Sequence, residues 1–120
     1  MLTKDELPEC PVATTLQLLN TKWKIYILQR LLVKPCRFNE MKNSIAGISQ
    51  NALSDNLRQM EDDGIILRQD NGTFPRHVEY SLSELGKMML PIIQSLHEFG
   101  TEYKKIISET KKDTQLSPRA

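Results

Sequence analysis

Residues 38–64 read FNEMKNSIAGISQNALSDNLRQMEDDG and divide at Gly47 into two helical patterns. In the first, Phe38, Met41 and Ile45 recur at steps of three and four, one face of a helix, with Asn39 available as its cap. Gly47 stops it, because glycine adopts the left-handed backbone that closes a helix. Ser49 then caps a second helix. Its apolar Leu53, Leu57 and Met60 share one face, while Gln50, Asn51, Ser54, Asp55 and Arg58 lie away from it, and Gly64 ends it. Charge is sorted along the chain as well. Residues 22–48 carry six Lys and Arg against Glu40 alone, net +5, whereas residues 49–63 carry Arg58 against Asp55, Glu61, Asp62 and Asp63, net −3. The start of the second helix is therefore free of acid.

Working outward, Cys10-Pro11 opens a helix over residues 11–19 with proline at its first position. Trp23, Ile27, Leu28, Leu31 and Leu32 form the stripe of another helix, which must stop before Pro35 because the residue preceding a proline disfavours helical backbone. A lone Trp on such a stripe reads as core packing. Downstream, residues 65–68 and 78–82 are β-prone and flank Asn71-Gly72, which predicts a hairpin with its tip over residues 69–77. Ser83 caps a last helix whose apolar residues run from Leu85 to Ile107, with Pro91 inside it predicting a kink.

A chain of 120 residues supports one modest core, so a second, catalytic domain is excluded. The expected organisation is a flexible arm at residues 1–9, a domain at residues 10–109 and a flexible tail at residues 110–120. No apolar run is long enough for a membrane helix and the start lacks a signal-peptide core, so a cytoplasmic protein is expected. Cys10 and Cys36 are too few for a disulfide framework, and with His77 and His97 they match no zinc spacing; no metal and no cofactor is expected. No Ser/His/Asp set, phosphate-cradling loop or acid–base pair points to an enzyme.

The order helix, short helix, glycine turn, helix, hairpin gives a mainly α fold with a small β-hairpin, a winged helix-turn-helix, whose second helix of the pair can enter a DNA major groove. Cys10-Pro11-Val12, Lys22-Trp23, Ile27-Leu28, Arg37-Phe38, Gly47-Ile48-Ser49, Leu53-Ser54, Leu57-Arg58, Asp63-Gly64-Ile65-Ile66 and Val78-Glu79-Tyr80-Ser81-Leu82 carry a more specific likeness. Together, over about residues 10–99, they resemble the HxlR-type winged helix-turn-helix regulators. The resemblance implies a bacterial, homodimeric transcription factor of MarR-like architecture that binds an inverted-repeat operator in double-stranded DNA. It also implies that the cysteine at the position of Cys10 senses electrophiles or oxidants, so that a small thiol-reactive molecule is the inducer. Two departures stand out: Asn20-Thr21 replaces a small glycine pair, and Arg76 stands where a second proline is frequent.

The residues themselves suggest the division of labour. Amides pair with adenine and Arg with guanine, which makes Gln50, Asn51, Ser54 and Arg58 the candidates for base reading. Asp55 would repel phosphate unless it pairs with Arg58 three residues on. Phosphate contacts are expected from Arg37, Lys42 and Ser49, with Arg68, Asn71, Arg76 and His77 of the hairpin tip, Arg76 foremost, following the adjacent groove.

At the start of its helix Cys10 meets unpaired amides that favour a thiolate, while Glu9 opposes it, so a reactive thiol and an inert packing thiol both remain open. Leu96, Phe99, Tyr103, Ile106 and Ile107 offer more apolar surface than a core this size needs, and the terminal helices are the expected dimer interface. Two other readings remain: a winged helix serving as a protein-interaction module that never touches DNA, and a thiol enzyme for which no base can be named.

Overall fold

The computed structural model describes residues 6–75 and 77–113, so part of the expected arm, most of the expected tail, and Arg76 lie outside the described residues. The described residues fall into two compact units, one ending at Met88 and the other beginning at Met89. The first contains α1 (Pro11–Leu18), α2 (Lys22–Val33), α3 (Phe38–Ser44), α4 (Gln50–Asp62), β1 (Ile66–Asp70), β2 (Val78–Leu82) and the short α5 (Glu84–Lys87). The second contains α6 (Leu90–Asp113), which continues past the expected domain boundary at residue 109.

In the first unit the helical stripes meet as their spacing requires. Ile27, Leu28 and Leu31 of α2, Met41 of α3, and Leu53, Leu57 and Met60 of α4 are buried together with Ile45, Ile48, Ile65, Ile66 and Leu82. Helix α2 lies against α4 and β2, α4 against β1, and both α3 and α5 against β2. The turn between α3 and α4 is made at Gly47, whose φ of +80° is a conformation that side chains with a Cβ adopt only at a cost. Strands β1 and β2 pair antiparallel, with Ile66 opposite Leu82, Arg68 opposite Tyr80 and Asp70 opposite Val78.

A third, one-residue strand joins this hairpin. Helix α2 stops at Val33, Lys34 turns to extended backbone ahead of Pro35, and Cys36 pairs with Tyr80. The Cys36 N–H donates to the Tyr80 carbonyl at 2.9 Å and the Tyr80 N–H donates to the Cys36 carbonyl at 2.8 Å. The link from α2 to α3 is thereby stitched to the hairpin, which is the arrangement of a winged helix-turn-helix.

Three expectations need correction. Helix α3 is capped at Arg37 rather than Asn39: the Arg37 N–H donates to Glu40 Oε1 at 2.9 Å, so the acid three residues into the turn supplies the cap. Trp23 is half-buried, not core; its ring packs edge-on to Tyr26 at 6.0 Å and carries the Lys22 ammonium at 4.6 Å. The stripe position between them is taken instead by Lys24, which is 2% exposed. The last helix is two: α5 ends at Lys87 and α6 begins at Leu90, which moves Pro91 from the interior of a helix into a first turn where its missing N–H is no loss. Helix α5 is held tightly over the end of α4. Ser83 Oγ accepts from Gly86 N–H at 3.0 Å and donates to the carbonyls of Gly64 at 2.6 Å and Ile65 at 2.9 Å, and a Cβ on Gly86 would collide with the Ile65 carbonyl oxygen.

Candidate nucleic-acid interface

Helix α4 presents two unlike faces. Its Ncap is Ser49, whose Oγ accepts from the Ala52 N–H at 3.0 Å. Leu53, Asn56, Leu57 and Met60 are buried, while Ser49, Gln50, Asn51, Asp55 and Arg58 are exposed and Ser54 is half-buried. Arg58 Nη1 donates to Asp55 Oδ1 at 3.2 Å. Both side chains of that pair stand in solvent, where such a contact contributes about 0.2–1 kcal/mol. Each fully buried apolar side chain on the opposite face contributes about 1.5–3 kcal/mol. The buried face therefore fixes the helix, and the Asp55–Arg58 pair can be exchanged for another partner at little cost.

A part-buried polar pair links α4 to the start of α2. Thr21, the Ncap of α2, accepts from the Lys24 N–H at 3.2 Å and donates its hydroxyl proton to Asn56 Oδ1 at 2.7 Å. The amide of Asn56 in turn donates to the Ala52 carbonyl at 2.6 Å. Sequence reasoning missed this pair, because an Asn on a helix whose apolar residues already account for one face is read as outward. The only available signal was that Asn56 falls between Leu53 and Leu57 on the apolar side.

The basic stretch at residues 22–48 is less available than its count suggests. Lys24 is buried with Nζ donating to Asn20 Oδ1 at 2.8 Å; burial pushes its pKa down, and Asp63 partly offsets this. Arg30 closes the end of α3 through Ser44, Nε to Oγ at 3.2 Å and Nη2 to the carbonyl at 3.0 Å. Lys34 pairs with Glu40 at 3.3 Å. The Arg37 N–H and Lys34 together hold the Glu40 carboxyl below the usual carboxylate range. Of the phosphate-contact candidates, Lys42 is half-buried on α3 and Arg37 is exposed at its start.

Arg37 also reaches the hairpin, its Nη2 lying 2.7 Å from His77 Nδ1. A guanidinium only donates, so the ring nitrogen of His77 is the acceptor in this contact. At the hairpin tip, Asn71 N–H donates to the His77 carbonyl at 3.0 Å and Asn71 Oδ1 accepts from His77 N–H at 3.1 Å. Arg68 and Asn71 are exposed and His77 is half-buried; Arg76 lies outside the described residues. A shallow hollow of about 500 Å³ is lined by Arg68, Gln69, Asp70, Asn71, His77 and Glu79. Its mixture of one Arg with two acids favours no ligand of a single charge.

The two thiols differ. Cys10 is exposed as the Ncap of α1. Cys36 is buried with Sγ 3.4 Å from the Lys34 carbonyl; burial first, then Glu40, pushes its thiol pKa up against the opposing Lys34 and Arg30. On α6, Leu96, Phe99, Tyr103 and Ile106 are exposed and Ile107 is half-buried, with Phe99 and Tyr103 stacked at 6.1 Å. Among the described residues no group of three or more His, Cys, Asp or Glu could hold a metal ion, and no helix is long and apolar enough to cross a membrane.

A glycine-turned helix pair with a free polar face on its second helix, backed by a hairpin stitched to the pair, defines a protein of the winged helix-turn-helix class. Residues 18–108 match the HxlR-like helix-turn-helix family, and the chain belongs to it. It is 37% identical to the uncharacterized HTH-type transcriptional regulator YdeP of Bacillus subtilis over 89% of this chain and 84% of that one. Among solved structures it is similar to the redox regulator HypR in its reduced form, with a TM-score of 0.78 and 33% identity over 83% of this chain and 99% of that one. A MarR-family putative transcriptional regulator from Porphyromonas gingivalis W83 superposes with a TM-score of 0.74 and 34% identity, covering 85% of this chain and 97% of that one.

Proposed function

We propose that this regulator acts as a homodimer on double-stranded DNA, reading an inverted-repeat operator with α4 of each protomer. The observation that carries the reading is the outward face of α4: Gln50, Asn51 and Arg58 are exposed, while Leu53, Leu57 and Met60 anchor the helix beneath them. The amides read adenine edges and Arg58 reads guanine, leaving Asp55 as it does so. Ser54 contributes beside them, and Ser49, Arg37, Lys42 and the hairpin residues Arg68, Asn71, Arg76 and His77 contact phosphate and the flanking groove. The Arg37–His77 contact supports this, since it ties the hairpin to the start of α3.

Dimerisation is supported by α6, where Ile92, Leu96, Phe99, Tyr103 and Ile106 are all exposed and recur at steps of four and three. Ile107 flanks that row. Cys10 is the sensing thiol: it is exposed at a helix start, and HypR, similar over most of this chain, is a redox regulator. Modification at Cys10 would shift the dimer, and half-sites about 34–36 Å apart tolerate little rotation between protomers.

The test is gel retardation of genomic fragments across a salt series, with Arg58→Ala and Cys10→Ser beside the parent protein. The parent selects fragments with dyad symmetry and weakens steeply as salt rises. Arg58→Ala loses selectivity at one base pair per half-site, a loss of about 1–3 kcal/mol. Cys10→Ser binds but no longer responds to diamide, quinones or aldehydes. A parent protein that selects no fragment overturns DNA reading in favour of a protein-interaction module, and an unchanged response in Cys10→Ser removes the sensor.

A further inference from the structure

Phe74 is 97% exposed, the most exposed large apolar side chain among the described residues, and the function above does not use it. Single exposed apolar side chains are common and need no explanation by themselves; the setting of this one is what matters. It is the middle residue of the tip that Asn71 and His77 close at the base, through the two Asn71–His77 hydrogen bonds at 3.0 and 3.1 Å. The rising side of the tip is held as well: Asp70 Oδ1 accepts from Gly72 N–H at 2.9 Å and Asn71 Oδ1 from Thr73 N–H at 3.3 Å. The base is tethered to the helix pair by Arg37, 2.7 Å from His77. Phe74 is thus projected from a pinned loop. The stretch around it, Asn71-Gly72-Thr73-Phe74-Pro75, carries no charge that would repel a polyanion, while the exposed Arg68 stands on the strand leading into it. Strand β1, which leads into the tip, lies against α4.

We propose that Phe74 is an apolar wedge that enters the minor groove flanking the major groove read by α4, and that it makes the regulator favour a pyrimidine–purine step there. The inference rests on the DNA-reading function above. Apolar wedges enter minor grooves by partly unstacking a base step, and pyrimidine–purine steps yield most easily, so the side chain selects sequence without a hydrogen bond. Because its ring is in solvent in the free protein, removing it leaves the fold intact and registers only on DNA.

The experiment uses the operator fragments selected by the full-length protein, with the flanking step varied and 2-aminopurine placed beside it. The parent protein binds pyrimidine–purine variants preferentially and raises 2-aminopurine fluorescence. Phe74→Ala loses about tenfold in affinity on those variants, the preference and the fluorescence change, with an unaltered salt slope. Phe74→Leu, which keeps an apolar wedge, retains the preference and the fluorescence change. Phe74→Ala matching the parent in affinity, step preference and fluorescence, while Arg58→Ala still loses selectivity, overturns the wedge alone; a parent that selects no DNA overturns the wedge together with the reading beneath it.

Discussion

The Thr21–Asn56 contact gives a sharp test of what positions α4. Thr21→Val keeps the shape of the side chain but removes the α2 cap, a loss of about 0.5–2 kcal/mol. It also strands Asn56 Oδ1, on a residue only 6% exposed, at about 1–3 kcal/mol. The expected loss of stability is therefore about 2–4 kcal/mol. Asn56→Leu costs less, about 1–2 kcal/mol, because the Thr21 hydroxyl still accepts from Lys24 N–H and can turn its proton elsewhere. In the double variant the Lys24 N–H still lacks its cap but Asn56 Oδ1 is no longer present to be stranded, so the loss falls short of the sum of the two single losses by about 1–2 kcal/mol. Urea unfolding followed by the fluorescence of Trp23 measures all four corners of this cycle, at one fixed protein concentration because any self-association couples stability to concentration. Losses that add to within about 0.5 kcal/mol would refute the reasoning, since residues that share a buried hydrogen bond must couple.

Three further outcomes are expected. Glu40 has a lowered carboxyl pKa, so the stability it contributes is present above its unfolded value of about 4.3 and is lost as pH falls through the folded value. Glu40→Gln should flatten that part of the acid limb, and parallel urea-midpoint curves for parent and variant between pH 7 and 3 would count against the cap. Native protein should react promptly with a thiol reagent at the exposed Cys10 and yield its second equivalent, from the buried Cys36, only in denaturant; prompt release of both contradicts the burial. Phe99→Glu, at a side chain 72% exposed in the middle of the apolar row on α6, should give a folded monomer by light scattering at micromolar concentration. A variant with the same mass as the parent protein contradicts the proposed interface on α6.

The parts of the fold written in short-range chemistry were legible. Ser49 and Ser83 are serines ahead of periodic runs, Gly47 and Gly64 stand where helices stop, and Asn71-Gly72 opens the loop that joins the hairpin strands; each acts through its own neighbours. What stayed hidden depends on residues far apart in sequence. A strand one residue long has no period, so the Cys36–Tyr80 pairing leaves no trace in either segment. The Arg37 cap lacks the hydroxyl that usually announces a capping box, and only Glu40 marks it. Lys24 and Asn56 are polar side chains in buried positions, matched to Asn20 and Thr21, and a pattern built on apolar residues assigns both to solvent. The charge count misleads for the same reason, since it records cations without saying which are already engaged. At the candidate interface, Gln50, Asn51 and Arg58 were recognisable as outward residues, whereas the link from Arg37 to His77 needed the fold.

The two-faced build of α4 bears on how such a regulator diversifies. The side chains that hold the helix in place, Leu53, Asn56, Leu57 and Met60, are a different set from those that face solvent, Gln50, Asn51, Asp55 and Arg58. Exchanges in the second set cost little folding free energy, typically within about 0.5 kcal/mol at such surface positions. On the proposed DNA-reading function, a duplicated copy acquires a new genomic address by drift at these four codons, with its scaffold inherited unaltered and no unstable intermediate on the path.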